Sequence, residues 1–317
     1  MDTIFNSQWG IIVNSLVGTR VLGKNYSKID DFFNKNNIGF TKILTEYGGH
    51  AIEIAKNLVE KGIRHLFIVG GDGTLNEIVN GIYSSNITDK DAVTIAAIPY
   101  GSGNDWARYW QLSKKLEDLN TLFADGKIAN VDIGKLTCKT SEGKDYERFF
   151  LNGAGFGLDG QVSNTTNKLK SYFWGSSFAY TFAMLSAVFI TPSQPMILSG
   201  DKEVADKIFS VAIGNGCFSG GGMKQVPKAD PTDGLLHITA IKRPKFLQII
   251  SGLIYLSRGK IDEHKITFSF ATERFTAKTT QPAAVEADGV EMPSTTELTF
   301  QIVPKALKML VPKINKN

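Results

Sequence analysis

The stretch Leu66-Phe67-Ile68-Val69-Gly70-Gly71-Asp72-Gly73-Thr74-Leu75-Asn76-Glu77 constrains the fold of this chain more than any other. An apolar run breaks into glycines around one aspartate, after which Leu75, Ile78, Val79 and Ile82 fall at helical spacing. That order predicts a buried strand, a tight turn and a helix N-terminus. Glycines let a backbone approach a ligand closely, and a helix start presents unpaired N–H groups to an anion. An aspartate in such a cradle is electrostatically awkward without a cation, which points to a metal-nucleotide site. A strand–helix turn that merely needs glycine explains the same residues, and the stretch alone does not choose.

The flanking sequence bears on that choice. Residues 10–13 form a short apolar strand running into Asn14, Ser15 and Gly18, a common setting for phosphate contacts. Residues 18–24 match the start of a P-loop, but Asn25 stands where a Mg²⁺-binding Ser or Thr belongs, so the match is rejected. Ala51, Ile54, Ala55, Leu58 and Val59 share one helical face after His50, and Gly62 ends that helix. A second buried strand, 94–98, enters Pro99-Tyr100-Gly101-Ser102-Gly103-Asn104-Asp105-Trp106-Ala107-Arg108, a second glycine-rich turn with Asn104 or Asp105 as helix cap. Alternating strands and helices predict βαβ units and a mainly parallel sheet, with both turns at the carboxyl ends of strands where open α/β sheets bind ligands. Two such turns on one edge favour a ligand site over coincidence.

After residue 130 the pattern changes to short strands: a hairpin over 131–137 and 146–152, then 208–213, 235–241, 266–271, 275–279 and 298–303, with one helix at 246–256. This predicts a mostly antiparallel β domain with a boundary near 126–130. The 317 residues suit one large or two ordinary domains, and the net charge of +4 suits an anionic substrate or membrane surface but not nucleic acid. Cys138 and Cys217 are isolated, which predicts no disulfide framework and a reducing compartment. The N-terminus lacks the pattern of a signal peptide. Residues 171–200 carry no charge, and 173–190 are rich in aromatics; small and polar residues dilute the run, which reads as a buried or membrane-facing helix rather than a span.

Three polar clusters interrupt the β pattern. Gly153-Ala154-Gly155-Phe156-Gly157-Leu158-Asp159 reads as a glycine turn followed by an acid. Asp230-Pro231-Thr232-Asp233-Gly234-Leu235 places two acids three residues apart, and the carboxylates and backbone carbonyls there could ligate a hard cation such as Mg²⁺, or simply form a β-turn. Asp288-Gly289 before the last strand reads as a turn.

Taken together, these pieces resemble the lipid kinase family of bacterial diacylglycerol kinases and sphingosine kinases, more distantly NAD kinases. Gly70 to Glu77 is similar to its nucleotide signature, and Pro99 to Arg108 to its second box. Gly155-Phe156-Gly157-Leu158-Asp159, Asn215-Gly216, Gly220-Gly221-Gly222, Asp233-Gly234-Leu235 and Asp288-Gly289 follow in the family's order. The resemblance implies an N-terminal NAD kinase-like α/β domain (1–129, joined by the tail 301–317) and a C-terminal antiparallel β-sandwich domain (130–300), with ATP in the cleft between them. It implies ATP contacts from Asn14, Ser15, Gly18, Thr45, Gly70, Gly71, Asp72, Gly73, Thr74, Leu75, Asn76 and Ser102. Asp288 is implied as general base, Asp72 as organiser of the catalytic Mg²⁺ or assistant in proton transfer, and Asp230, Asp233 and Leu235 as a structural Mg²⁺ site. Arg108 is the candidate basic residue for phosphoryl transfer, with a surface ion pair as its alternative.

The sequence departs from the family at Ser15 and Thr19, where Pro and a basic residue are usual, at Ser102 in place of Thr, and at Val290 in place of Glu. The implied function is ATP-dependent phosphorylation of a lipid hydroxyl by a cytoplasmic protein at the inner face of a membrane. Segment 171–190 would line an acyl-chain groove or serve as a core helix, and a homodimer stays open. The alternatives are a soluble NAD kinase and a non-catalytic nucleotide- or lipid-binding relative. Diacylglycerol, sphingoid bases, ceramide and phosphatidylglycerol all fit the residues equally.

Overall fold

The computed structural model describes residues 6–15, 26–140, 142–158, 160, 191–201 and 203–313. Gly18, the P-loop near-match at 18–24, Asp159 and the uncharged aromatic stretch 173–190 lie outside them. The chain forms two compact units, residues 1–131 with 305–317 and residues 132–304.

The N-terminal unit runs β1 (Trp9–Val13), α1 (Tyr26–Lys35), β2 (Phe40–Leu44), α2 (His50–Glu60), β3 (His65–Gly70), α3 (Asp72–Ser84), β4 (Thr94–Pro99), α4 (Asp105–Trp110) and α5 (Leu119–Asp125). Every residue of β1 and β4 is buried, as expected of parallel strands covered by helices on both faces. The sheet order is β4-β3-β1-β2, all parallel. The chain leaves β1 for β2 on one side and returns for β3 on the other. The order therefore reverses between β1 and β3, where such sheets open a ligand crevice at their carboxyl ends. Trp9, Phe33, Phe67 and Phe123 form the aromatic heart of one core cluster, with the Trp9 and Phe123 rings 5.2 Å apart. In α2 the expected face is the buried one, and Gly62 N–H closes it on the Val59 carbonyl.

The C-terminal unit is built from antiparallel pairs. After β5 (Lys127–Lys139), β6 (Asp145–Phe150), β7 (Gly153–Gly157), β8 (Gln194–Ser199), β9 (Glu203–Gly214) and β10 (Leu236–Lys242) comes α6 (Phe246–Ser257). Then follow β11 (Thr267–Thr272), β12 (Arg274–Ala287) and β13 (Val290–Val311). The order β11-β10-β9-β7-β12-β13 has β8 joining β9 and β12 further along, and β5 pairs with β6 as a hairpin. Its core stacks Phe275 and Phe300 at 4.8 Å and Phe156 on Phe300 at 5.9 Å. The last strand β13 carries the chain back into the N-terminal unit, where Lys308 and Met309 pair in parallel with Thr94 and Ile95 of β4.

Gly153 to Gly157 is a strand, not a turn, hydrogen-bonded between β9 and β12. Its glycines answer crowding: a Cβ on Gly153 would stand 2.6 Å from the Ile213 carbonyl oxygen. Glycine's usual meaning as a turn signal hid the strand.

Candidate active site

The two glycine-rich turns of the N-terminal unit touch. A Cβ on Gly71 would sit 2.6 Å from the Gly101 Cα, and the reverse holds equally, so only paired glycines allow this approach. Tyr100 N–H donates to the Gly70 carbonyl at 2.9 Å. Asp72, first residue of α3, reaches across: its Oδ2 accepts from Asp105 N–H and its Oδ1 from Trp106 N–H, both at 3.0 Å. These are the first N–H groups of α4, which a helix cannot satisfy itself. The capping expected of Asn104 or Asp105 is thus performed by Asp72. Asn104 adopts φ +52° and makes no cap bond; its side chain instead accepts from Gly101 N–H (2.8 Å) and donates to the Gly101 carbonyl (2.6 Å).

The turn at the end of β1 joins the same network. Asn14 Nδ2 donates to Thr74 Oγ1 at 2.9 Å, spanning the β1/β3 switch point, and Ser15 N–H donates to Thr45 Oγ1 at 3.2 Å. Asn14, Ser15, Thr45, Gly70, Gly71, Asp72 and Thr74 are therefore brought together with the Gly101 turn. Leu75 and Asn76 lie on the buried side of α3, so only their backbone could serve a ligand. Gly73 and Ser102 are exposed, and a Cβ on Gly73 would meet nothing within 4 Å. Among the described residues no packing asks for glycine at 73. A ligand that needs the space is a physical reason for it, and this open helix start fits an anionic phosphate chain. Arg108 is half-exposed, its Nε 3.9 Å from Asp105 Oδ1.

In the C-terminal unit Asp288 holds the tip between β12 and β13, with φ +48° followed by Gly289 at +79°. Its carboxylate accepts three backbone N–H bonds, from Leu151 to Oδ2 (2.7 Å) and from Asn152 and Gly153 to Oδ1 (2.9 and 3.0 Å). Asn215 fixes that same segment from behind. Fully buried, it donates through Nδ2 to the Leu151 and Asp132 carbonyls (2.7 and 2.9 Å), while its own N–H and that of Gly216 bond the Asn152 carbonyl. Asn215 stands out in the sequence only as part of the family-like Asn215-Gly216 pair at the end of an apolar strand, and its anchoring role follows from these distant partners.

The turn 230–235 uses its acids locally. Asp230 Oδ1 accepts from Thr232 N–H and Oγ1–H, Asp233 Oδ1 from Leu235 N–H, and Asp233 Oδ2 lies 2.8 Å from His237 Nε2. Asp132, missed from sequence, anchors the turn by accepting Gly234 N–H on Oδ2 at 2.7 Å. Its signal was an acid between Val131 and Ile133 in an otherwise apolar strand. Among the described residues no group of three or more His, Cys, Asp or Glu side chains converges as a metal cage. The oxygen-only donors Asp230, Asp233 and the Leu235 carbonyl fit a hard cation in kind.

Comparison with known proteins agrees with this architecture. Residues 8–136 match the diacylglycerol kinase catalytic domain and residues 153–311 the YegS C-terminal NAD kinase β-sandwich-like domain. A Chromohalobacter salexigens protein named "Probable lipid kinase YegS-like" is 32% identical over 67% of this chain and 64% of its own length. A Mycobacterium tuberculosis protein named "Diacylglycerol kinase" is 26% identical over 80% of this chain and 79% of its own. A crystal structure titled as a diacylglycerol kinase from Bacillus anthracis superposes with TM-score 0.69 at 19% identity, covering 97% of both chains. Yeast NADH kinase superposes with TM-score 0.56 at 9% identity, covering 98% of this chain and 85% of that one. These two show the fold: an NAD kinase-like α/β domain and a β-sandwich domain. With both domains matched in order over most of its length, the chain belongs to the diacylglycerol kinase-like family of lipid kinases.

Proposed function

We propose that the chain transfers the γ-phosphoryl group of ATP to a hydroxyl of a diacylglycerol-type lipid. The observation that carries this reading is Gly73: an exposed glycine at the start of α3 whose missing side chain would meet nothing within 4 Å among the described residues. Phosphoryl transfer asks for positioning and charge neutralisation more than covalent chemistry. The α3 start, with Asn14, Ser15, Thr45 and Ser102 around it, binds the phosphates, and Asp72 keeps the two turns in register. Arg108 offsets charge on the transferring group. The lipid hydroxyl oxygen attacks the γ-phosphorus, the bond to the β-phosphate oxygen breaks, and ADP departs. Asp288 receives the hydroxyl proton, its carboxylate held in place by three N–H groups.

Mg²⁺ would neutralise phosphate charge at the transferring group, with Asp72 as its protein ligand there and Asp230, Asp233 and Leu235 holding a second, structural ion. The protein works at the inner face of a membrane, where its substrate resides; among the described residues no helix is long and apolar enough to cross one. The test is purified protein with γ-labelled ATP and a panel of diacylglycerol, sphingoid base, ceramide and phosphatidylglycerol. Label entering a lipid in the wild type and not in Asp288→Asn supports the proposal. Transfer to none of them, or NADP formation from NAD instead, sinks it.

A further inference from the structure

Helix α6 is inside out. It carries no charged side chain and buries none of its residues. Phe246, Leu247, Ile250, Leu253 and Ile254 are 68, 76, 48, 37 and 45% exposed. Phe246, Ile250, Leu253 and Ile254 follow the i, i+4, i+7, i+8 spacing of one helix face, with Leu247 at its edge, and in a water-facing helix that solvent-exposed face is the polar one. The opposite face is pinned by its polar groups: Ser251 Oγ lies 2.9 Å from His264 Nε2, and the Tyr255 ring meets His264 edge-on at 5.1 Å. The helix ends are fixed too, by Lys245 N–H on Gln248 Oε1 and Lys260 N–H on the Tyr255 carbonyl, both at 2.8 Å. Nothing among the described residues covers the apolar face.

The chain flanking the helix is basic, and the nearby acids Asp206, Asp262 and Glu263 are each paired with a lysine. Residues 242–260 contain Lys242, Arg243, Lys245, Arg258 and Lys260 and no acid. Lys242 pairs with Asp206, Lys260 with Glu263, and Arg243 donates to the Thr191 carbonyl. Lys245 and Arg258, exposed at the two ends of the helix, enter no ion pair among the described residues. An apolar face bracketed by cations is the pattern of a helix that lies in a membrane interface, its side chains at the acyl boundary and its cations on lipid phosphates.

We propose that α6 docks the protein flat on an anionic phospholipid surface, with Phe246, Leu247, Ile250, Leu253 and Ile254 inserted and Lys245 and Arg258 on the headgroups. This rests on the lipid kinase reading, since a substrate held in a bilayer requires such an approach. The experiment is co-sedimentation of the full chain with phosphatidylcholine vesicles, plain or with equimolar phosphatidylglycerol. Wild type is expected to partition at least tenfold more onto the anionic vesicles. Leu247→Asp/Ile254→Asp and Lys245→Glu/Arg258→Glu are each expected to lose at least tenfold of that binding with unchanged thermal midpoint.

Wild-type binding by both variants overturns the proposal, as does equal binding to neutral vesicles. A fall in the thermal midpoint of Leu247→Asp/Ile254→Asp overturns it by showing the face covered by the chain's own residues. So does conversion of a dimer to a monomer in sedimentation velocity, which would make the face a contact with a second copy. Phosphorylation of dioctanoylglycerol in neutral detergent micelles separates the two readings: its absence in wild type removes the kinase proposal and leaves docking to stand on the vesicles alone.

Discussion

Asp72 Oδ1 accepts the backbone N–H of Trp106 at 3.0 Å, so the aspartate of the first glycine-rich turn caps the helix that follows the second. With Oδ2 on Asp105 N–H, one carboxylate satisfies two groups that α4 leaves unpaired. The conspicuous acid of the nucleotide turn thus has a structural task of its own.

Replacing it separates the tasks. Asp72→Ala removes both bonds and, by the usual worth of a helix cap, destabilises the N-terminal unit by about 1–2 kcal/mol. Asp72→Asn keeps one acceptor oxygen and turns an NH₂ toward the other donor, so it should restore little. Chemical denaturation of both variants beside the ATP KM is the check. A stable Asp72→Ala that binds ATP normally would show that the cap is dispensable.

Gly71→Ala tests the contact between the turns. Its Cβ would stand 2.6 Å from Gly101 Cα, backbone that can move only by separating the turns. The expected result is a destabilised N-terminal unit, at about 1–3 kcal/mol for overpacking, with loss of nucleotide binding. Unchanged denaturation would mean the turns part at little cost.

At Asp288 the prediction concerns position as much as chemistry. An asparagine accepts on one atom only, so Asp288→Asn puts an NH₂ against one or more of the N–H groups of Leu151, Asn152 and Gly153. Activity is expected to vanish and the thermal midpoint to fall. Asn215→Ala, which touches no proposed substrate, should weaken the same segment, lowering kcat more than it raises the ATP KM. An Asn215→Ala enzyme with wild-type kcat would show that the support is unnecessary.

His65 gives a pH dependence. Burial, then the charge of Lys308, lowers its pKa from the ordinary 6.5. The unfolded chain therefore binds a proton that the folded one resists, and stability falls as pH drops below about 6.5 toward the folded pKa. Above that value the group contributes no slope. Urea denaturation between pH 5 and 8 should show the decline in the wild type and a flatter profile in His65→Gln. Parallel profiles would assign the slope elsewhere.

The N-terminal order of elements was legible because its strands are continuous apolar runs and α2 keeps one clean face. The long strands β12 and β13 read only in part, since polar residues alternate along them and tertiary pairing decides their length. β7 was missed because glycine chosen for crowding looks like glycine chosen for a turn. The roles of Asp132 and Asn215 depend on partners distant in sequence, which spacing cannot reveal. Asp72 stood out at once as an acid among glycines, but its attachment to α4 required coordinates.

If the exposed start of α3 is the phosphate cradle, Gly73→Ala disturbs the cradle without disturbing the fold. A Cβ there meets nothing within 4 Å among the described residues, and alanine favours a helix over glycine by about 1 kcal/mol. The variant should fold as well as the wild type or slightly better, with an ATP KM raised at least tenfold. A thermal midpoint at or above wild type with an unchanged ATP KM would contradict the account.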